Sequence, residues 1–203
     1  MIIIKKAINR ILRQREIKSL PSDDKHVYLT FDDGPEPGIT DFVLDELDKY
    51  GFKATFFCRG DNAERYSDLL TTIQERGHVI GNHTYSHLHA YNNPANTYLN
   101  DVFDADAILH TSLFRPPHGS LTIQTWWRLR NRKIVFWSLN SGDSDHQGFN
   151  YERSMHRLIT QTSGGDIILF HFCRKHEKET RILLPDYLKW LSENGYVSDS
   201  IPN

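Results

Sequence analysis

The stretch YLTFDDGPEPG, residues 28–38, ends a short apolar run in two adjacent carboxylates, Asp32 and Asp33. Neighbouring acids at a strand end repel each other unless a positive partner sits beside them. The segment GNHTYSH offers one route to such a partner. His83 and His87 stand four residues apart, and both imidazoles reach one ion if the segment turns helically. One carboxylate with two imidazoles is a frequent ligand set for a catalytic zinc, leaving positions open for water and substrate. Spacing alone does not decide the matter: eleven histidines make chance pairs expected, and His89 competes with His87 for the same role. Three more segments carry polar groups. FRPPHGS offers Arg115 followed by two stiffening prolines, FWSLNSGDSD offers Asp143, and IILFHF ends a nearly all-apolar run in His171. Taken singly, these read as a turn, an acidic loop and a satisfied core histidine.

The elements that must position these groups follow from the apolar patterning. Strand candidates are 26–31, 53–57, 78–80, 113–115, 133–138, 166–171 and 196–197. Helical stretches cover 40–51, 63–77, 94–110, 122–131, 151–161 and 179–195, several closed by glycine, and Pro185 is expected to kink or restart the last one. This alternation implies an α/β domain with a parallel sheet, open or closed into a barrel. In such folds the chemistry gathers at the carboxyl ends of the strands. Asp32, Asp33, His83, Arg115, Asp143 and His171 each follow a strand candidate, so all six are expected at one rim.

Composition sets broader limits. The chain has 203 residues, 38% hydrophobic and 25% charged, as expected of one globular domain. Two cysteines without dense spacing argue against a disulfide framework. The formal charge of −2 divides unevenly: residues 1–20 carry about +5 and the remainder about −7. In that basic stretch Ile4, Ala7, Ile8, Ile11 and Leu12 follow the template of an amphipathic helix. Such a helix either lies on an anionic membrane surface or packs on the outside of the domain. No aromatic residue accompanies these charges, which argues against nucleic-acid binding. MIIIKKAINRILRQR makes a poor signal peptide, because charge follows its short apolar run instead of preceding it. The expectation is a cytoplasmic protein or one peripheral on the inner membrane face. The expected division is a basic arm over residues 1–20 and a catalytic domain over 21–203.

Read in order, TFDDGP, HTYSH, RPPHG, WSLNSGD and ILFH resemble the motifs of the polysaccharide deacetylase family, also known as carbohydrate esterase family 4, over about residues 25–203. The resemblance implies a distorted (β/α) barrel of about seven strands and metal-dependent removal of an N-acyl group, usually acetyl, from an amino sugar. Carried over by position, Asp33, His83 and His87 hold the metal, Zn2+ or another divalent transition metal such as Co2+. Asp32 is the general base, Arg115 orients it, His171 is the general acid, and Asp143 fixes the tautomer of His171. Phe31 and Leu169 line the pocket for the acyl methyl, and Pro117, His118 and Gly119 contact substrate, with a backbone N–H near His118 facing the oxyanion. Two positions of the fourth motif depart from the family pattern. Asn140 replaces an Asp, and Ser144 replaces a Trp, which opens the site. His118 also stands where Tyr is common. The implied partner is a carbohydrate, in a glycan, an oligosaccharide or a lipid-linked precursor, with residues 2–15 as a possible membrane contact. Alternatives are a deformylase on a lipid-linked amino sugar and a non-catalytic sugar- or metal-binding relative.

Overall fold

The computed structural model describes residues 16–22, 25–145 and 148–203. The amphipathic stretch within residues 2–15 lies outside them. Nine strands are found among the described residues: β1 (Glu16–Ile17), β2 (His26–Asp32), β3 (Ala54–Cys58), β4 (Val79–Asn82), β5 (Leu113–Phe114), β6 (Lys133–Val135), β7 (Leu139–Asn140), β8 (Ile167–His171) and β9 (Val197–Ser198). Seven helices intervene: α1 (Ile39–Asp48), α2 (Gly60–Arg65), α3 (Ser67–Glu75), α4 (Ala95–Leu109), α5 (Ile123–Arg128), α6 (Tyr151–Gln161) and α7 (Glu177–Glu193). The strands pair in parallel in the order β1-β6-β5-β4-β3-β2-β8-β7, with β9 beside β2. An antiparallel bridge from Ser19 to Asp166 ties the β1 side back toward β8 and curls the sheet into a distorted (β/α) barrel. The sheet therefore begins ahead of residue 21: β1, the Ser19 bridge and the Leu20 N–H to Gly165 carbonyl bond (2.9 Å) join residues 16–20 to the domain.

Strand parity divides the side chains into two layers. From β2, β3 and β8, Leu29, Phe31, Phe56, Ile168 and Phe170 pack outward in one core with α1 and α7 residues such as Leu44, Leu184 and Tyr187. Phe57, Leu113, Val135 and Ile167 face inward, joined by Ile201 from the C-terminal tail. Near the carboxyl ends of the strands the inward positions turn polar: Thr30, Asp32 and Arg115 are all buried there. α7 runs unbroken through Pro185, so the expected restart does not occur. Five buried apolar side chains, Leu183, Leu184, Tyr187, Leu188 and Leu191, anchor the helix on both sides of the missing N–H. The stretch 63–77 is two helices instead of one, parted at Tyr66, whose ψ of 51° breaks the helical run.

Candidate active site

β2 and β8 lie side by side with Asp32 opposite His171, and the chain leaves β2 directly into Asp33. Parity aims Asp32 inward, while Asp33 takes a left-handed φ of 83° that swings its carboxylate toward the loop after β4. The Asn62 amide of α2 holds the Asp33 carbonyl at 2.9 Å. That loop is irregular, not the helical turn its spacing suggested. Thr84 and His87 both have φ 62°, and the Ser86 amide and hydroxyl donate to buried Asp101 of α4. Two left-handed residues thus achieve what a helical turn would have done: they bring His83 and His87 to the same carboxylate.

Asp33, His83 and His87 offer three ligand atoms within 4.8 Å of one another. Asp33 Oδ1 lies 3.1 Å from His87 Nε2 and 3.6 Å from His83 Nε2, yet it is buried without an aligned hydrogen bond. Burial would raise the Asp33 carboxyl, but the closeness of His87 and the charges of His83 and His171 hold it well below the usual carboxylate range. His83 Nδ1 is 2.8 Å from the Arg115 carbonyl, which fixes that nitrogen as the donor and leaves the Nε2 lone pair facing the acids. Burial pushes His83 down to about 4, against the pull of Asp32 and Asp33, so the ring is neutral at pH 7. A neutral imidazole, a deprotonated carboxylate and an orphaned buried oxygen fit a divalent cation. His89 stays apart: its Nδ1 accepts from the Tyr91 N–H, and its ring neighbours His118 at 4.8 Å.

Asp32 has a different partner. Its Oδ1 accepts from Arg115 Nη1 at 2.7 Å, and that nitrogen also donates to Thr30 Oγ1 at 2.8 Å. Arg115 is fully buried, bonds the Phe136 carbonyl through Nη2 at 3.0 Å, and lies 4.1 Å over the Phe57 ring. The guanidinium is thus locked in place. It keeps one oxygen of Asp32 engaged and leaves Oδ2 turned toward His83 at 3.8 Å.

Across the cavity His171 Nδ1 meets Asp143 Oδ1 at 2.9 Å, while Asp143 Oδ2 accepts from the His171 backbone N–H at 2.6 Å. The Thr180 hydroxyl of α7 donates to the same Oδ2 at 3.1 Å and lies 3.0 Å from the His171 carbonyl. Burial opposes a charged His171, but the Asp143 charge and hydrogen bond prevail and raise it to about 9. Burial likewise works against an ionised Asp143, yet His171 lowers its carboxyl.

A cavity of about 260 Å³ joins these groups: Asp32, Asp33, His83, His87 and His171 all line it, with Leu169 on one wall and His118 on another. Three residues expected at the substrate lie elsewhere. Phe31 sits between inward Thr30 and Asp32, so parity turns it outward, where it stacks on Phe56 at 5.1 Å. Pro117 is buried, and Pro116 lines the cavity in its place. Gly119 faces the neighbouring groove; its φ is 60°, and a Cβ there would come within 2.7 Å of Trp137. Its lack of a side chain seats Trp137, which does line the cavity. Lys175 and His176 line it as well; they precede a helix and belong to no motif, so no local signal marks them. Asn140 and Ser144 stand on the wall as well; the Asn140 side chain accepts from the Gly142 N–H at 2.8 Å and shapes the loop carrying Asp143.

Comparison with known proteins identifies the family. Residues 19–137, more than half of the chain, match the family model described as polysaccharide deacetylase. A peptidoglycan-N-acetylglucosamine deacetylase of Bacillus cereus is 32% identical, over 87% of this chain and 86% of the relative. The peptidoglycan-N-acetylmuramic acid deacetylase PdaC of Bacillus subtilis is 28% identical over 93% of this chain, which spans 42% of that longer protein. A crystal structure of a peptidoglycan N-acetylglucosamine deacetylase superposes with a TM-score of 0.85 at 29% identity, covering 93% of this chain and 91% of the other. The chain belongs to the polysaccharide deacetylase family.

Proposed function

We infer that this chain hydrolyses the N-acetyl group of an amino sugar in a glycan or glycan precursor, with a divalent cation as cofactor. One observation carries the reading. The two adjacent acids have separate partners, Asp32 on buried Arg115 and Asp33 on the His83–His87 pair, and both line one cavity with His171. Asp33, His83 and His87 would hold the cation, and the two-imidazole, one-carboxylate set favours zinc, with cobalt the nearest substitute. When bound, such an ion supplies Lewis-acid polarisation of the amide and a more acidic water. Asp32, kept in place by Arg115, takes the proton of the attacking water. His171 enters protonated, because Asp143 holds it so, and gives its proton to the departing amine nitrogen. Leu169, on the same inward face as His171, supports an apolar contact for the acyl methyl.

The names of the relatives point to peptidoglycan as the glycan class, and we extend the reading to its lipid-linked precursor. The same reading assigns residues 2–15 to peripheral contact with an anionic membrane surface on the cytoplasmic side. Loss of liposome co-sedimentation on deleting residues 2–15 checks that part. The catalytic part is tested by release of acetate or formate from N-acylated glucosamine and muramic acid oligomers by the zinc-loaded chain. Acetate released by the loaded protein, abolished by a chelator and by Asp32→Asn, supports it. Formate without acetate would point to a deformylase, and no release from a metal-loaded chain would overturn it.

A further inference from the structure

The catalytic cavity has an asymmetric mouth. Its acids, Asp32 and Asp33, lie deep and already have cationic or imidazole partners. The wall made by Asn140 and Ser144 is uncharged. On the α7 side stand Lys175 and His176, the His176 ring 5.1 Å from that of His171. Two acids beside this stretch are engaged with arginines. Glu36 pairs with Arg174 at 3.7 Å, and Glu177 pairs with Arg181 at 2.7 Å. Among the described residues no carboxylate lies within ion-pair distance of Lys175, whose side chain is exposed at the rim. An unpaired ammonium that borders a reaction cavity across from neutral groups has one complementary ligand, an anionic oxygen group on the bound molecule.

We propose that Lys175, with His176 beside it, forms an anion subsite at the mouth of the catalytic cavity and favours amino sugars that carry a carboxylate or a phosphate near the N-acyl group. This deepens the deacetylase reading and rests on it for the identity of the site. Lys175 contacts the substituent and not the reacting amide, so its effect falls on substrate choice and not on bond cleavage.

The test compares the zinc-loaded full chain with Lys175→Gln, Lys175→Arg and Lys175→Glu on matched oligosaccharides. One set carries lactyl carboxylates, a second carries the same groups as neutral methyl amides, and a third carries a sugar phosphate. Lys175→Gln is expected to lower kcat/KM for an anionic set by about tenfold, through KM, and to leave the neutral set within twofold. Lys175→Arg restores the preference, Lys175→Glu deepens its loss, and added salt shrinks the difference. Loss on the carboxylate set alone or on the phosphate set alone identifies the source of the anion. Equal loss on charged and neutral sets, or no loss on either anion, overturns the proposal. Calorimetric binding of the same sugars keeps the two levels apart. Charge-dependent binding that vanishes in Lys175→Gln supports the subsite even if no acetate is released, an outcome that would count against the deacetylase reading alone. Equal binding of the charged and neutral sets by the wild-type chain overturns the subsite.

Discussion

The two corners of the cavity are built on opposite plans. In the proton-handling corner every group has a partner: Arg115 holds Asp32 at 2.7 Å, Asp143 holds His171 at 2.9 Å, and Thr180 braces Asp143 at 3.1 Å. In the ligand corner Asp33 Oδ1 is buried without an aligned bond, and Asp33 and His87 sit at φ 83° and 62°. Backbone strain and an orphaned acceptor are costs that a packed protein keeps where a ligand offsets them. The contrast teaches that one corner is complete within the chain, while the other is shaped for a cation.

Four perturbations break or sharpen that contrast. The largest effect is expected from His83→Ala, which removes a ligand and should take turnover to background. Wild-type protein at a zinc concentration about a hundred times Kd should gain about 2.7 kcal/mol of stability, and calorimetry should show that gain vanish in the variant. Next is Asp143→Asn, expected to lower kcat by roughly 10²–10⁴ while zinc affinity stays unchanged. His171 is raised to about 9, so wild-type activity should fall as pH climbs through that value. Without the Asp143 charge and hydrogen bond, burial opposes the charged ring with only Asp33 and Asp32 left to raise it, so the alkaline limb of the kcat profile moves to lower pH. The linked stability follows the same sign. A group raised in the folded state contributes fully below its unfolded pKa, and that contribution is lost between about 6.5 and 9. Wild-type Tm should therefore decline across that window more steeply than that of Asp143→Asn.

Arg115→Met strikes the complete corner instead. It strands buried Asp32 without its partner, and chemical denaturation should register about 3–5 kcal/mol of lost stability. Zinc binding at Asp33 and the histidines should persist, because the His83 contact is to the Arg115 backbone carbonyl, which the substitution keeps. The smallest effect is expected from Thr180→Val, which removes one hydrogen bond to Asp143 at near-constant volume. About 1 kcal/mol of stability, read from urea unfolding, and a several-fold drop in kcat should follow.

Much of the site was legible because strand ends and short polar motifs are local signals. TFDDGP, HTYSH and ILFH each place their polar residues just beyond an apolar run, and the parallel sheet gathers those ends. The failures have equally local causes. The resemblance puts Phe31 in the pocket, but the two-residue period that turns Asp32 inward turns Phe31 outward. β1 and β7 fall outside every strand candidate: β1 follows the basic amphipathic stretch, and β7 lies just past the 133–138 run. The turn at His83–His87 depends on left-handed Thr84 and His87, a conformation that neither residue type announces. Trp137, Lys175 and His176 reach the cavity only through tertiary packing.

The central claim is the division of labour between two adjacent acids, and parallel zinc titrations of Asp32→Asn and Asp33→Asn test it most directly. Asp32→Asn should bind zinc as the wild type does and release no acetate, whereas Asp33→Asn should lose the zinc itself. Loss of zinc from Asp32→Asn, or wild-type zinc affinity in Asp33→Asn, would contradict the account.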